Sequence, residues 1–572
     1  MENPPSWPLP GNEPRNADNH KAPLPGKTFE AGLPDPPCEV CELQNIRVFF
    51  CVNCDGHFCS NCWAKERAHK PGKLGPDGLP HEKADSEVVS RLTATFNPPS
   101  DPGVQVRMHL EDEDTTWFGI ARDATGRPIF QDYGRYSTLI ANSASSEHRT
   151  RFPRLISFIG QTGAGKSTLV KMLIERQSYG IDDPEKRRLF QCPIVGSSTN
   201  DSVPTSGDVH LYADPSTYFT TFPTLYADCE GLEGGENIPI GARRQDAEGG
   251  IVRRRDDHNQ EMNRLKKRWR ISRGQERLIA WADSPAKQKR QYGVTELYPR
   301  LLYTFSDVVV FVLQNPKYLT LLPRLFYYRF ANTGLRTFES TVLSKLLSWA
   351  HAVVEKSTNQ PVLPHAIIAL NATDPGVDSR KWDVDFATEN LMDTVAGAVG
   401  RDVSYREYSE YWSSHGKSVE TMRDLLGCYY SSIRVVCIPR KGRYMLVEEQ
   451  VQKLHLEIDS ACKQSYDTKR VSRMLATSDE LNQYLQAAFD HFSQNLDTPF
   501  NFLDIAFKNS PIPRDFGGNI LKLAVAVQEV QETADGPGIF KKLSVMVASC
   551  IILDCARHGL KGKLQELHAS SD

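Results

Sequence analysis

The stretch Leu155-Ile156-Ser157-Phe158-Ile159-Gly160-Gln161-Thr162-Gly163-Ala164-Gly165-Lys166-Ser167-Thr168 decides how this chain is read. The apolar residues 155–159 predict a buried strand, residues 160–165 a glycine turn, and Lys166 onward the start of a helix. The order fits G-x-x-x-x-G-K-[ST]. Glycines let backbone N–H groups turn inward around phosphate oxygens, and a helix amino terminus adds positive potential there. Residues Gly160 to Thr168 are therefore the candidates for binding the phosphates of a nucleotide. Lys166 would reach the β- and γ-phosphates, and the Ser167 hydroxyl would ligate magnesium. Chance would produce the pattern in roughly 2% of chains this long, and the flanking strand and helix make coincidence rarer.

Downstream of this loop, apolar runs alternate with helical periodicity. Strand candidates are 155–159, 209–212, 224–227, 307–313, 366–370 and 434–438, and helical runs include 168–176 and 333–355. Such alternation predicts an α/β fold, with a mostly parallel sheet covered by helices. Beyond Val447 the segments are helix-like, among them 479–493 and 518–532, with Pro511 and Pro513 as breaks.

The ends of these strands carry further polar residues. Thr205, just before the strand at 209, would bring a hydroxyl to magnesium and an N–H to the γ-phosphate. Asp228 ends the strand at 224 within Asp228-Cys-Glu-Gly231. Its carboxylate would hold a magnesium-bound water, and the Gly231 N–H would sense the γ-phosphate. Asn371-Ala-Thr-Asp374 closes the strand at 366. An aspartate there accepts from guanine N1–H and the 2-amino group, neither of which adenine offers, so it separates GTP from ATP. The plainer reading of Asn371-Ala-Thr-Asp374-Pro is a turn.

In this order the motifs resemble the P-loop GTPase superfamily over roughly residues 154–445. Asp228-Cys-Glu-Gly231-Leu232 followed by Glu-Gly-Gly, with Thr205-Ser-Gly207 before it, is most similar to the guanylate-binding, atlastin and very large inducible GTPase groups. The resemblance implies GTP and GDP as ligands, magnesium-dependent hydrolysis, and self-association through the G domain. Lys166, Ser167, Thr205, Asp228 and Gly231 would then be the residues acting in hydrolysis. Three departures stand out: Leu232 where many small GTPases carry glutamine, no arginine within 160–165, and Ala372 where a lysine often packs on the ring. The first two point to slow turnover, and the third weakens the base assignment. A scaffold that holds nucleotide with little or no turnover is the alternative.

Between 241 and 292 lies material beyond a minimal G domain. Residues 243–290 hold 15 Lys and Arg against 7 Asp and Glu, with runs at 253–255, 266–270 and 287–290. A nucleic acid, an anionic lipid or an acidic protein face would suit this charge, as would a solvated helix facing outward. An insert arginine reaching the nucleotide of a neighbouring subunit is a further reading.

Six of the 13 cysteines fall between Cys38 and Cys62, as Cys38-x-x-Cys41, Cys51-x-x-Cys54 and Cys59-x-x-Cys62, followed by His69 and His81. Thiolate and imidazole suit tetrahedral zinc, and eight ligands fill two closed, structural sites. So short a segment buries too little apolar surface to fold alone, so metal would replace a core. The spacing resembles the B-box of tripartite-motif proteins. That likeness implies interleaved sites, with Cys38, Cys41, Cys59 and Cys62 on one zinc and Cys51, Cys54, His69 and His81 on the other. His57 is the competing histidine. B-boxes generally act in protein recognition, so a protein partner is expected here, and no RING-type cysteine set precedes this one.

The 572 residues, 40% hydrophobic and 24% charged with a net charge of -3, are ordinary for a globular chain of several domains. Residues 1–35, rich in Pro, Asn and Gly, read as a disordered leader and not as a secretory signal. The apolar stretch 543–556 is interrupted by Asp554 and too short to span a bilayer. Paired thiols without a signal favour a reducing, cytoplasmic setting. The expected organisation is a leader (1–35), a zinc module (36–86), a linker with a β-hairpin around 117–130 (87–150), a GTPase domain (151–446) and a helical region (447–572).

Overall fold

A computed structural model describes residues 36–509, except 144–149, 179–180, 182–189, 197–206, 232–273, 315–342, 352–361 and scattered positions at 45, 345, 349, 473 and within 100–111; beyond 509 it describes Lys522 and Ser549. The described residues form two units, one within 1–94 together with 442–448, the other within the remainder.

In the first unit, β1 (Val48–Cys51) pairs antiparallel with β2 (Gly56–Cys59) and with β3 (Ala84–Asp85). The β1–β2 turn is tight enough to hold Asp55 at φ 50°, a left-handed conformation that aspartate tolerates better than most residues. The helix Ser60–Lys65 starts on Cys59, whose sulfur accepts the Cys62 N–H at 3.4 Å. Residues 442–448 are bound into the same unit by polar contacts. The Arg443 Nε donates to Asp77 at 2.8 Å, and Glu82 accepts the N–H groups of Met445 and Leu446 at 3.1 and 3.2 Å. Glu82 thereby satisfies donors that the helix Tyr444–Val471 leaves open in its first turn.

The second unit is α/β and built on one nine-stranded sheet, ordered β12-β11-β10-β6-β8-β7-β4-β5-β9. Its central strands are β6 (Arg154–Gly160), β8 (Thr224–Cys229), β10 (Val308–Gln314), β11 (His365–Thr373) and β12 (Ile433–Pro439), all joined in parallel. Such strands are covered on both faces and need continuous apolar sequence; Val308, Val309, Val310 and Val312 are fully buried. Each of the six apolar runs read from the sequence is a strand, and 168–176 lies in the helix Lys166–Ser178. Of the run 333–355 only a few positions are described.

The sheet is more mixed than the alternation alone predicts. β7 (Val209–Ala213), β4 (Thr116–Arg122), β5 (Pro128–Asp132) and β9 (Gln275–Leu278) add to one side, every pairing antiparallel. The hairpin assigned to a linker is thus part of the main sheet. Its apolar face explains why: Trp117, Phe118 and Phe130 are buried and meet Phe489 of the helix Ser478–Gln494 at ring-centre distances of 6.3, 5.5 and 4.9 Å. Thr477 and Glu480 cap that helix reciprocally. The described helices after residue 443 are Tyr444–Val471, Ser478–Gln494 and Phe502–Asn509; the runs at 518–532 and 543–556 lie outside the described residues but for Lys522 and Ser549. Among the described residues, no helix is long and apolar enough to cross a membrane.

Candidate functional site

In the second unit the chain runs from β6 to β8 on one side and then crosses to β10, β11 and β12 on the other. Crevices at the carboxyl ends of parallel strands form at such a reversal. The residues of the glycine loop, Asp228, Asn371 and Asp374 all lie at those ends.

Residues 160–165 turn tightly into the helix Lys166–Ser178. Gly165 sits at φ +94°, and a Cβ there would lie 2.2 Å from the Asn371 amide nitrogen, so both conformation and space call for glycine. The Lys166 ammonium is buried and donates to the carbonyls of Gly160 at 3.1 Å and Gln161 at 2.9 Å. Burial pushes its pKa down, opposed chiefly by the Asp228 carboxylate. A cation held this way favours an anion beside it.

Ser167 Oγ donates to Asp228 Oδ2 at 2.7 Å. A hydroxyl and a carboxylate side by side are hard oxygen donors of the kind that magnesium prefers, so the pair fits that ion chemically. Gly231 closes on the loop from the β8 side, where an added Cβ would meet Thr162 Cα at 2.5 Å. Thr205 and Leu232 lie outside the described residues.

On the other flank, the Asn371 side chain donates to the Ala164 carbonyl at 2.7 Å and accepts the Ala372 N–H at 2.9 Å. Ala372 is held at φ 56°, an uncommon conformation for a residue with a Cβ. Asp374 Oδ1 accepts the Gly376 N–H at 2.8 Å. Asn371-Ala-Thr-Asp374 therefore forms the plain turn: one Asp374 carboxylate oxygen shapes it, and the other points toward Arg440.

Two arginines went unseen as site neighbours in the sequence. Arg290, the last residue of the third basic run, donates to the Ile120 carbonyl at 2.8 Å and to Glu230 at 2.6 Å, and pairs with Asp208 at 2.5 Å. Tyr298 OH also donates to Asp208, at 2.9 Å. Buried Glu230 belongs to the Asp228-Cys-Glu-Gly231 segment, so Arg290 serves an internal ion-pair network and not a solvent-facing charge patch. Residues 253–255 and 266–270 lie outside the described residues. Arg440, just after β12, is the second; Pro439 and the end of an apolar run mark its place but not its partner.

In the first unit the eight predicted ligands gather in two groups, each with its ligand atoms within 4.8 Å of one another: Cys38, Cys41, Cys59 and Cys62, and Cys51, Cys54, His69 and His81. The division follows the interleaved order. His81 Nδ1 lies 3.3 Å from the Cys51 sulfur and 3.4 Å from that of Cys54, and His69 Nε2 lies 3.4 Å from Cys54. His57 belongs to neither group; it sits 3.5 Å from Glu39 and against Phe50. Trp63 stacks on His69 at 3.8 Å and fixes the plane of the imidazole. Burial and the neighbouring thiols push Cys62 up to about 12. Cys38, although burial opposes its ionisation, is brought down to about 6 by backbone N–H groups, that of Cys59 first. These clusters are fit to hold metal ions and compatible with zinc. The eleven described cysteines are all free thiols.

Comparison with protein-family models gives no match, and comparison with curated proteins gives none either.

Proposed function

We propose that this chain is a P-loop protein that binds guanine nucleotide, hydrolyses GTP slowly with magnesium, and couples that cycle to self-association or to a protein partner held by a two-zinc, B-box-like module. The observation that carries the reading is the Ser167–Asp228 contact of 2.7 Å beside the loop-bound Lys166 ammonium. In this reading residues 160–168 cradle the phosphates, Asn371 and Asp374 face the base, and Thr205 and Gly231 meet the γ-phosphate. Ser167, Thr205 and Asp228 would hold magnesium, which supplies charge neutralisation at the phosphates. A reducing, intracellular compartment would suit a module built on paired thiols.

A calorimetric titration of the full chain with GTP and ATP, with and without magnesium, tests the binding. GTP preferred over ATP is the expected outcome, and an ATP preference would remove the guanine assignment. Turnover measured over a range of protein concentrations tests the coupling: specific activity should rise with concentration if assembly completes the site. Nucleotide bound without turnover at any concentration would favour the scaffold reading, toward which Leu232 and the arginine-free loop already lean.

A further inference from the structure

We infer that Arg440 reads the O6 and N7 atoms of a guanine whose N1–H and 2-amino group are read by Asp374, so that the loops after β11 and β12 select the base together. The inference rests on the nucleotide reading above and adds a residue to it.

Three observations place Arg440 for this task. First, β11 and β12 are parallel neighbours, with Thr373 opposite Pro439, and the Arg440 N–H donates to the Thr373 carbonyl at 2.9 Å. That bond fixes the backbone of Arg440 one residue from Asp374. Second, Arg440 Nη2 lies 3.5 Å from Asp374 Oδ2, while the other carboxylate oxygen is engaged by the Gly376 N–H. Third, both side chains are about half exposed, at 48% and 51%. An ion pair this open adds little to stability, so the fold itself does not require it.

A carboxylate and a guanidinium side by side present acceptor next to donor. Guanine carries the complement along one edge, the N1–H donor beside the O6 acceptor, with N7 beyond it. Arginine meets O6 and N7 with two parallel hydrogen bonds and is the usual reader of that edge. Adenine places an amino donor where guanine has O6, so the guanidinium would face a donor with donors. Ala372, the residue nearest in sequence on the other side, has only a methyl group to offer. The neighbouring cation Lys441 is taken up by the Asn97 side chain.

The test is a calorimetric titration of the full chain with GDP, with 6-thioguanosine diphosphate and with ADP, in wild type, Arg440→Ala and Arg440→Lys. The thio nucleotide keeps N1–H and the 2-amino group but weakens the acceptor at position 6. Wild type should prefer GDP over its thio analogue. Arg440→Ala should lose about tenfold in GDP affinity and no longer distinguish the two, with an unchanged melting temperature. Arg440→Lys, which keeps one donor, should fall between. If wild type binds GDP but does not distinguish it from the thio analogue, or if Arg440→Ala binds GDP as well as or better than wild type, this assignment is wrong while the nucleotide reading stands. If wild type binds no guanine nucleotide, the nucleotide reading falls and this assignment with it.

Discussion

The two units are held together by different substances. In the first, one buried cluster consists of Cys38, Val48, Cys59 and Cys62 with Ile46 beside it, so three of its four members are also candidate metal ligands. In the second, Ile156, Phe158, Val308, Val310, Ile367 and Val435 fill the interior, and none of them titrates. A sulfur core depends on what is bound to it and on whether the thiols keep their protons; an apolar core depends mainly on the surface withdrawn from water. The same chain should therefore respond to chelators, acid and mutation in two separable ways.

The largest expected effect comes from removing metal. Metal analysis of the purified chain should give two zinc ions, and a strong chelator should abolish amide protection across 38–85 while leaving β6 and β10 protected. Structural zinc in small modules contributes on the order of 10 kcal/mol, more than so small a core supplies. Cys59→Ser should empty the Cys38, Cys41, Cys59 and Cys62 site and loosen both loops, since the ligands interleave. Full protection in demonstrably metal-free protein would break the comparison.

Acid and one lysine probe the second unit. Asp307 is buried and accepts from Lys469 Nζ and Ser465 Oγ, each at 2.6 Å, and from the Leu155 N–H at 2.9 Å. Burial opposes its charge, but Lys469 and these donors hold its pKa below the ordinary carboxyl value. A depressed pKa contributes stability above the unfolded value of about 3.9, and that stability is lost as pH falls below it. Thiolate and imidazole ligands take up protons at higher pH, so an acid titration should lose the first unit's metal before the second unit unfolds. Lys469→Met should cost about 3 kcal/mol in denaturant unfolding and move the acid transition of the second unit upward. A single acid transition unaffected by this substitution would mean the units do not respond separately.

Lys166→Ala removes a cation that donates two hydrogen bonds to the loop, and should lower GTP affinity on the order of a hundredfold. Calorimetry would check this, and unchanged affinity would remove the phosphate site. Asp374→Asn should act only at the base, weakening GTP roughly tenfold and improving xanthosine triphosphate, whose 2-oxo group takes a donor. Competition between the two nucleotides would show whether that preference moves.

The central strands were legible because parallel, doubly covered strands must be apolar along their length, and 307–313 or 366–370 cannot be read otherwise. The glycine loop was legible because Gly165 tolerates no side chain. Harder were the pairings of the antiparallel side. Gln275–Leu278 has the polar sequence Gln-Glu-Arg-Leu, and its partner β5 is distant in the chain; no local pattern announces such an edge. Arg290 was legible as charge but not as an ion-pair partner, because Asp208 and Glu230 come to it only through the fold. For the cysteines, C-x-x-C spacing marked the ligands, but which pairs share a site came from the likeness to a B-box, because spacing alone does not say which two pairs meet in the fold.

The Asn371 bond to the Ala164 carbonyl ties the strand end that carries Asp374 to the loop that carries Lys166. A ligand with a polyphosphate at one end and a base at the other would then be gripped by a single rigid clamp, behaving as a bivalent guest. Once one end is seated, the other meets its pocket at a high effective concentration, without a further search. Neither inorganic pyrophosphate nor the free base should then come near the affinity of the intact nucleotide, and Asn371→Ala, which unties the strand end from the loop, should narrow that gap.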